Sequence, residues 1–222
     1  MSSYWTYYLG MILLSFGLGH PSLLLGVAVL YVLRHRIPDP WVFLSTSGRI
    51  RTLRTDIAAN SANLTARRDL AVIHLQRMRP RAALKLLDEA RLREPESPEL
   101  LYLTGVARLR SGDAAGAVEP LVQSVQLDGK LRRGEPYLVA AEALMKVSRW
   151  DDAAEALELF GKLNKSSLEA CVRRAKVARE RGDGAGEKHA LTDASDTWHQ
   201  LPGFLRRKQF GWLMRAYWMR VM

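Results

Sequence analysis

The stretches "RLRSGDAAGAVEPL", Arg108–Leu121, and "RERGDGAGEKHAL", Arg179–Leu191, each place Gly-Asp between two helix-like runs. Their glycines, Gly112 and Gly182, lie 70 residues apart. Between them Ser148 stands at the equivalent place, ahead of "RWDDAAEAL", and divides the 70 into 36 and 34. A fixed period of that length marks stacked supersecondary units. Laid out at this period, the chain gives four helix-turn-helix units that start near Leu64, Pro98, Gly134 and Leu168. The Gly-Asp stretch therefore carries register rather than chemistry.

The residues that recur are small or large and apolar. The first unit, "LTARRDLAVIHLQRMRPRAALKLLDEARLREPES", has Leu70 and Ala71 on its first helix, then Ala83, Leu87 and Ala90, and closes on Pro95. The second supplies Leu101, Gly105, Gly112, Ala117 and Leu121, with Gly129 at the close. The third offers Tyr137, Ala140, Ala141, Leu144, Trp150, Ala153, Leu157 and Phe160. The fourth is the most degenerate, with Cys171, Ala175, Ala178, Gly182, Leu191 and Ala194, and Glu187 where alanine is expected. Ala or Gly lets two helices cross closely, and large apolar residues fill the gaps beside the crossing. One unit cannot bury its own apolar face, so neighbours stack into a continuous core.

In this register the units resemble the tetratricopeptide repeat, whose pattern is W-x2-L-G-x2-Y, then A-x3-F, then a further Ala and a closing Pro. The resemblance covers residues 64–197, divided 64–97, 98–133, 134–167 and 168–197. It implies an all-α solenoid of about four helix-turn-helix repeats, acting as a scaffold or adaptor for a peptide or protein. In that family the inner surface comes mostly from the first helix of each unit. The matching positions here are Arg68, Val72 and Leu75, then Tyr102, Val106 and Leu109, then Leu138, Glu142 and Met145, and last Val172, Lys176 and Arg179. Such a groove is apolar in the middle with basic ends. It lacks the Asn and Lys pair of the family's carboxylate clamp, which argues against capture of a C-terminal carboxylate.

Both flanks of the repeats carry their own signals. Residues 37–63 form a juxtamembrane linker and a capping helix, in which Ile50, Leu53 and Ile57 share one helical face. The head, "YWTYYLGMILLSFGLGHPSLLLGVAVLYVL" from Tyr4 to Leu33, has no charged residue. A bilayer core of roughly 30 Å needs about 20 such residues, so residues 1–36 are expected to be membrane-embedded. His20-Pro21 lies mid-run, and both a single kinked span and a short hairpin turning at Gly17–Ser22 remain open. No basic residue precedes the run and "GLGHPS" at Gly17–Ser22 offers no A-x-A-like cleavage site, unlike a signal peptide. Arg34, Arg36, Arg49, Arg51 and Arg54 follow it, which places the repeats on the cytoplasmic side in either topology.

The tail, residues 198–222, reads "WHQLPGFLRRKQFGWLMRAYWMRVM" and holds five basic residues and no acid. Leu213, Met214, Tyr217, Trp218 and Val221 share one side of a basic aromatic helix that is imperfectly amphipathic. Three roles fit it, and they can overlap: contact with an anionic lipid surface, a cap over the last repeat, or a partner-binding segment. The residues set for a membrane interface are Arg34, Arg36, Trp41, Trp212, Arg215 and Trp218.

The formal net charge of +10 is unevenly spread. Residues 34–60 contribute +3, 61–131 contribute +2, 132–197 contribute none and 198–222 contribute +5. A charge confined to the two ends suits an anionic membrane surface better than a nucleic-acid groove along the fold. Arg outnumbers Lys by 25 to 8, a bias found in GC-rich bacterial genomes.

Catalytic signatures are absent: there is no H-E-x-x-H, G-x-S-x-G, P-loop or EF-hand loop. "GDGAG" at 182–186 lacks the Lys-Ser/Thr of a phosphate loop and lies at an inter-helix turn. His74 stands at the repeat's tyrosine position and reads as core, as does Cys171, the only cysteine. No catalytic, metal-binding or cofactor-binding residue is expected, and the chain is not read as an enzyme. The expected function is a membrane-anchored protein-interaction scaffold at the cytoplasmic face of a bacterial inner membrane, with a protein or peptide and anionic lipids as partners. The alternative is an accessory or regulatory subunit of a membrane complex. Nucleic-acid binding through the tail is disfavoured by the neutral middle.

Overall fold

The computed structural model describes residues 40–221. The regular structure among them is entirely helical: α1 Pro40–Ala59, α2 Leu64–Gln76, α3 Pro80–Arg91, α4 Pro98–Ser111, α5 Ala114–Leu127, α6 Glu135–Lys146, α7 Trp150–Leu163, α8 Leu168–Glu180, α9 Gly184–Gln200 and α10 Gly203–Val221. The chain divides into two units between Gly48 and Arg49, inside the length of α1. Of the first unit, residues 40–48 are described, and there Ser45, Thr46 and Ser47 each donate to the carbonyl four residues back. The apolar run expected to enter the membrane lies outside the described residues, as do Arg34 and Arg36. Among the described residues no helix is long and apolar enough to cross a membrane.

In the second unit α2–α9 form four helical hairpins stacked as an all-α solenoid of the tetratricopeptide type. The turns explain the register. Gly112 and Gly182 leave α4 and α8 with φ of 97° and 73°, a region open to glycine at no steric cost. Asp113 and Asp183 then accept from the amides of Gly116 and Gly186 at 2.8 Å, capping α5 and α9. Met78 and Ser148 hold the same left-handed position in the first and third units, with φ of 56° and 58°. The backbone turn is thus repeated four times, although only two copies carry its glycine.

The longer 36-residue interval has a local cause. Between α5 and α6 the residues Arg132, Arg133 and Gly134 take φ of 47°, 60° and 82° in succession. This left-handed turn makes the connection between α5 and α6, residues 128–134, longer than that between α7 and α8, residues 164–167. Arg132 holds the turn against α4, pairing with Glu99 at 2.6 Å and lying 5.2 Å from the Tyr102 ring centroid.

Packing follows the small residues. Ala83, Ala117 and Ala153, each fourth in the second helix of its unit, have no exposed surface. They belong to one core that runs from Ala71 on α2 to Leu157 on α7 and includes Val177 on α8. In the fourth unit Glu187 occupies the alanine position and forms an ion pair with Arg179 of α8 at 2.5 Å. A second cluster joins Cys171, Val172 and Ala175 to Ala190, Leu191, Ala194 and Ala216 of α10. At the other end Ile50 and Leu53 of α1, with Ile57 beside them, pack on Ala66, Leu70 and Ile73.

Candidate protein-interaction site

The first helices α2, α4, α6 and α8 carry the residues proposed for a groove, and packing divides them. Leu75, Tyr102, Val106 and Leu109 are 4–7% exposed and lie inside the main core. Val72 and Leu138 are partly buried against it. On α4 the cause is plain: every residue from Leu100 to Ala107 is buried, so this helix presents no open apolar face. Arg68 points its guanidinium at its neighbour Asp69 at 3.0 Å.

An open cleft lies further along, where α6, α8 and α10 meet, with a volume of about 700 Å³. Glu142, Met145 and Lys146 line it from α6, and Val172, Arg173 and Lys176 from α8. α10 supplies the third wall through Trp212, Met214, Arg215, Trp218 and Met219. Four residues read as groove positions thus share one cleft with three read as membrane-interface positions. Trp41, the remaining interface residue among those described, is 73% exposed on α1.

α10 reaches this place because it is apolar on two sides. Leu213 and Ala216 are 8% and 7% exposed, with Leu213 packed on Leu168 and Leu201. Gln209 Oε1 accepts from the Leu168 amide at 2.8 Å, tying α10 to the start of α8. Arg179 donates to the Met219 carbonyl at 2.5 Å near the other end, so this residue anchors the tail rather than standing open in the groove. α10 therefore occupies the place of a first helix in a fifth unit.

Arg173 is the electrostatic centre of the cleft, and the groove assignment missed it. Its side chain is 11% exposed. It donates to the Leu138 carbonyl at 2.7 Å, pairs with Glu142 at 2.8 Å and Glu169 at 2.5 Å, and lies 5.7 Å from the Trp212 ring centroid. Glu142 also reaches Lys146 at 3.3 Å. Burial pushes the Glu169 carboxyl above its ordinary value, and Arg173 pulls it the other way. The one signal in the sequence was Glu169 four residues before Arg173, a spacing that pairs charges on a helix. Arg215 lies over the Trp212 ring at 4.3 Å. The arrangement offers hydrophobic and charged recognition. Among the described residues no cluster of three or more His, Cys, Asp or Glu is placed to hold a metal.

No protein-family model and no curated protein matches the chain. Solved structures do. YrrB, described as a TPR protein with an unusual peptide-binding site, is 13% identical, with a TM-score of 0.65 over 86% of this chain and 97% of that one. A crystal structure of MamA is 16% identical, with a TM-score of 0.65 over 76% and 92%. MamA from Desulfovibrio magneticus RS-1 is 21% identical, with a TM-score of 0.57 over 71% and 91%. Likeness at these identities is a likeness of fold.

Proposed function

We propose that this chain, a solenoid of the tetratricopeptide-repeat fold, is a membrane-anchored scaffold that holds a partner protein at the cytoplasmic face of a bacterial inner membrane. It works by binding and not by catalysis. The observation that carries this reading is the α6–α8–α10 cleft, in which Met145, Trp212 and Trp218 stand beside fixed charges in one open trough. The peptide-binding site described for the similarly folded YrrB supports it. The uncharged run from Tyr4 to Leu33, followed by arginines, supports the anchor and its orientation. α10 also bears exposed Phe204, Phe210, Tyr217 and Val221, with Arg207 and Lys208 exposed near its start, a composition suited to anionic headgroups. Nucleic acid is not among the proposed partners.

A photo-crosslinking residue at Met214, which lines the cleft and is exposed, tests the scaffold in the full chain expressed in membranes. One at Glu155, exposed on α7 away from the cleft, is the control. A discrete adduct at position 214 and none at 155 is expected. Equal labelling at both positions would refute a localised binding surface. Alkaline extraction tests the anchor: the full chain should stay with the membrane and a chain lacking residues 1–36 should not.

A further inference from the structure

The chemistry of the cleft narrows the class of partner. Its cations fall into two groups. Arg173 and Lys146 are already matched, the first by Glu142 and Glu169 and the second by Glu142. Lys176 and Arg215 line the same cleft and neither makes an ion pair among the described residues, though the Arg215 charge reaches Glu169. Arg215 is oriented nonetheless, because its guanidinium lies 4.3 Å from the Trp212 ring centroid and Arg173 lies 5.7 Å from the same ring. A stacked guanidinium keeps its edge N–H groups free, and these match a carboxylate in bidentate fashion. α10 itself contains no acid that could occupy them.

The apolar part of the cleft is partly open. Met214 is 53% exposed and Trp218 is 67% exposed, while Met145 and Trp212 are half-buried beside them. An open trough that exposes large apolar side chains along one helix suits an elongated segment better than an enclosed small molecule.

Building on the scaffold reading, we infer that the cleft takes an acidic amphipathic segment of a partner protein. Its carboxylates seat on Lys176 and Arg215, and its apolar side chains lie against Met145, Trp212 and Trp218. Recognition is by side-chain carboxylates along the segment and needs no free C terminus. Two charge-assisted contacts flanking an apolar strip also set the direction in which the segment lies.

The test uses the full chain in discs of zwitterionic lipid, probed with a displayed library of random 12-residue peptides. Enrichment of sequences that combine Asp or Glu with Leu, Phe or Trp is expected. A synthetic peptide from that pool should bind roughly tenfold more weakly to Lys176→Gln, and likewise to Arg215→Gln. Arg215→Lys should recover part of the loss, since it restores charge without the planar fork. Both residues are exposed, and an unchanged helical circular dichroism spectrum confirms that the variants fold. Enrichment of neutral or basic sequences, or equal binding by the variants, overturns this inference and leaves the scaffold standing. No enrichment of any sequence overturns the scaffold reading itself. If discs of anionic lipid abolish the enrichment, lipid occupies the cleft and the inference falls.

Discussion

Gly105 shows how closely first and second helices approach. A Cβ at this position would lie 2.3 Å from Leu121 Cγ and 2.6 Å from its Cδ2. Leu121 has no exposed surface and nowhere to retreat. Gly105→Ala should therefore cost about 1–3 kcal/mol, read as a lower urea midpoint at unchanged slope. An unchanged midpoint would mean that the crossing can widen. His74 makes a different residue-level statement. It is 7% exposed, its Nδ1 has no hydrogen-bond partner among the described residues, and burial, followed by the charges of Arg54, Arg79 and Arg77, holds its pKa below the ordinary histidine value. The unfolded chain then binds a proton more readily than the folded one, so stability is intact above about pH 6.5 and falls as the pH drops toward the folded value. His74→Phe should flatten the thermal midpoint over that interval. An identical pH profile in the variant would remove His74 as the cause.

Among the helices, α5 carries the most instructive irregularity. Pro120 lies within it and has no N–H for the carbonyl of Gly116. Arg108 of α4 supplies the missing donor, its Nη1 lying 2.8 Å from that oxygen. A proline that would otherwise break the helix is thus tolerated because the partner helix completes its hydrogen bonding. Arg108→Met should cost about 1–3 kcal/mol, the desolvation of an unpaired carbonyl. In a Pro120→Ala background the restored amide meets Gly116 itself, and the cost of Arg108→Met should shrink. Additive effects in this double-mutant cycle would show that the two residues act independently. The sequence offered both residues, but their pairing depends on two helices crossing at that height.

Across the molecule, α10 completes the stack, and its loss should be felt well beyond its own length. Leu213 seals Leu168 and Leu201, and Ala216 covers the cluster of Cys171, Val172, Ala175 and Leu191. Leu213→Asp would bury an unpaired carboxylate and should cost several kcal/mol. Because neighbouring units in a solenoid stabilise one another, the damage should spread inward from α9 and α8. Hydrogen exchange is expected to show protection lost first in α8–α10 and retained in α3–α5. Uniform loss along the chain would show that the stack unfolds as one block.

The repeat was legible because its causes are local. A turn needs glycine or another residue in the left-handed region, a cap needs Asp113 or Asp183, and a close crossing needs a small side chain, and each leaves its mark at a fixed interval. Met78 and Ser148 show the limit of that legibility, since their backbone matches Gly112 while their side chains carry no sign of it. The cleft was half legible. Glu142, Met145, Val172 and Lys176 follow from their place on first helices, whereas Tyr102, Val106 and Leu109 occupy similar places and are buried. Nor does the sequence of α10 tell which of its two apolar sides meets protein, because periodicity assigns residues to a face and not the face to a neighbour. Local hydrogen bonding and size thus set the helices, their turns and their repeat in the chain itself. Which first helices remain open, and that Trp212 and Arg215 wall a cleft, were settled only by the packing of helices distant in sequence.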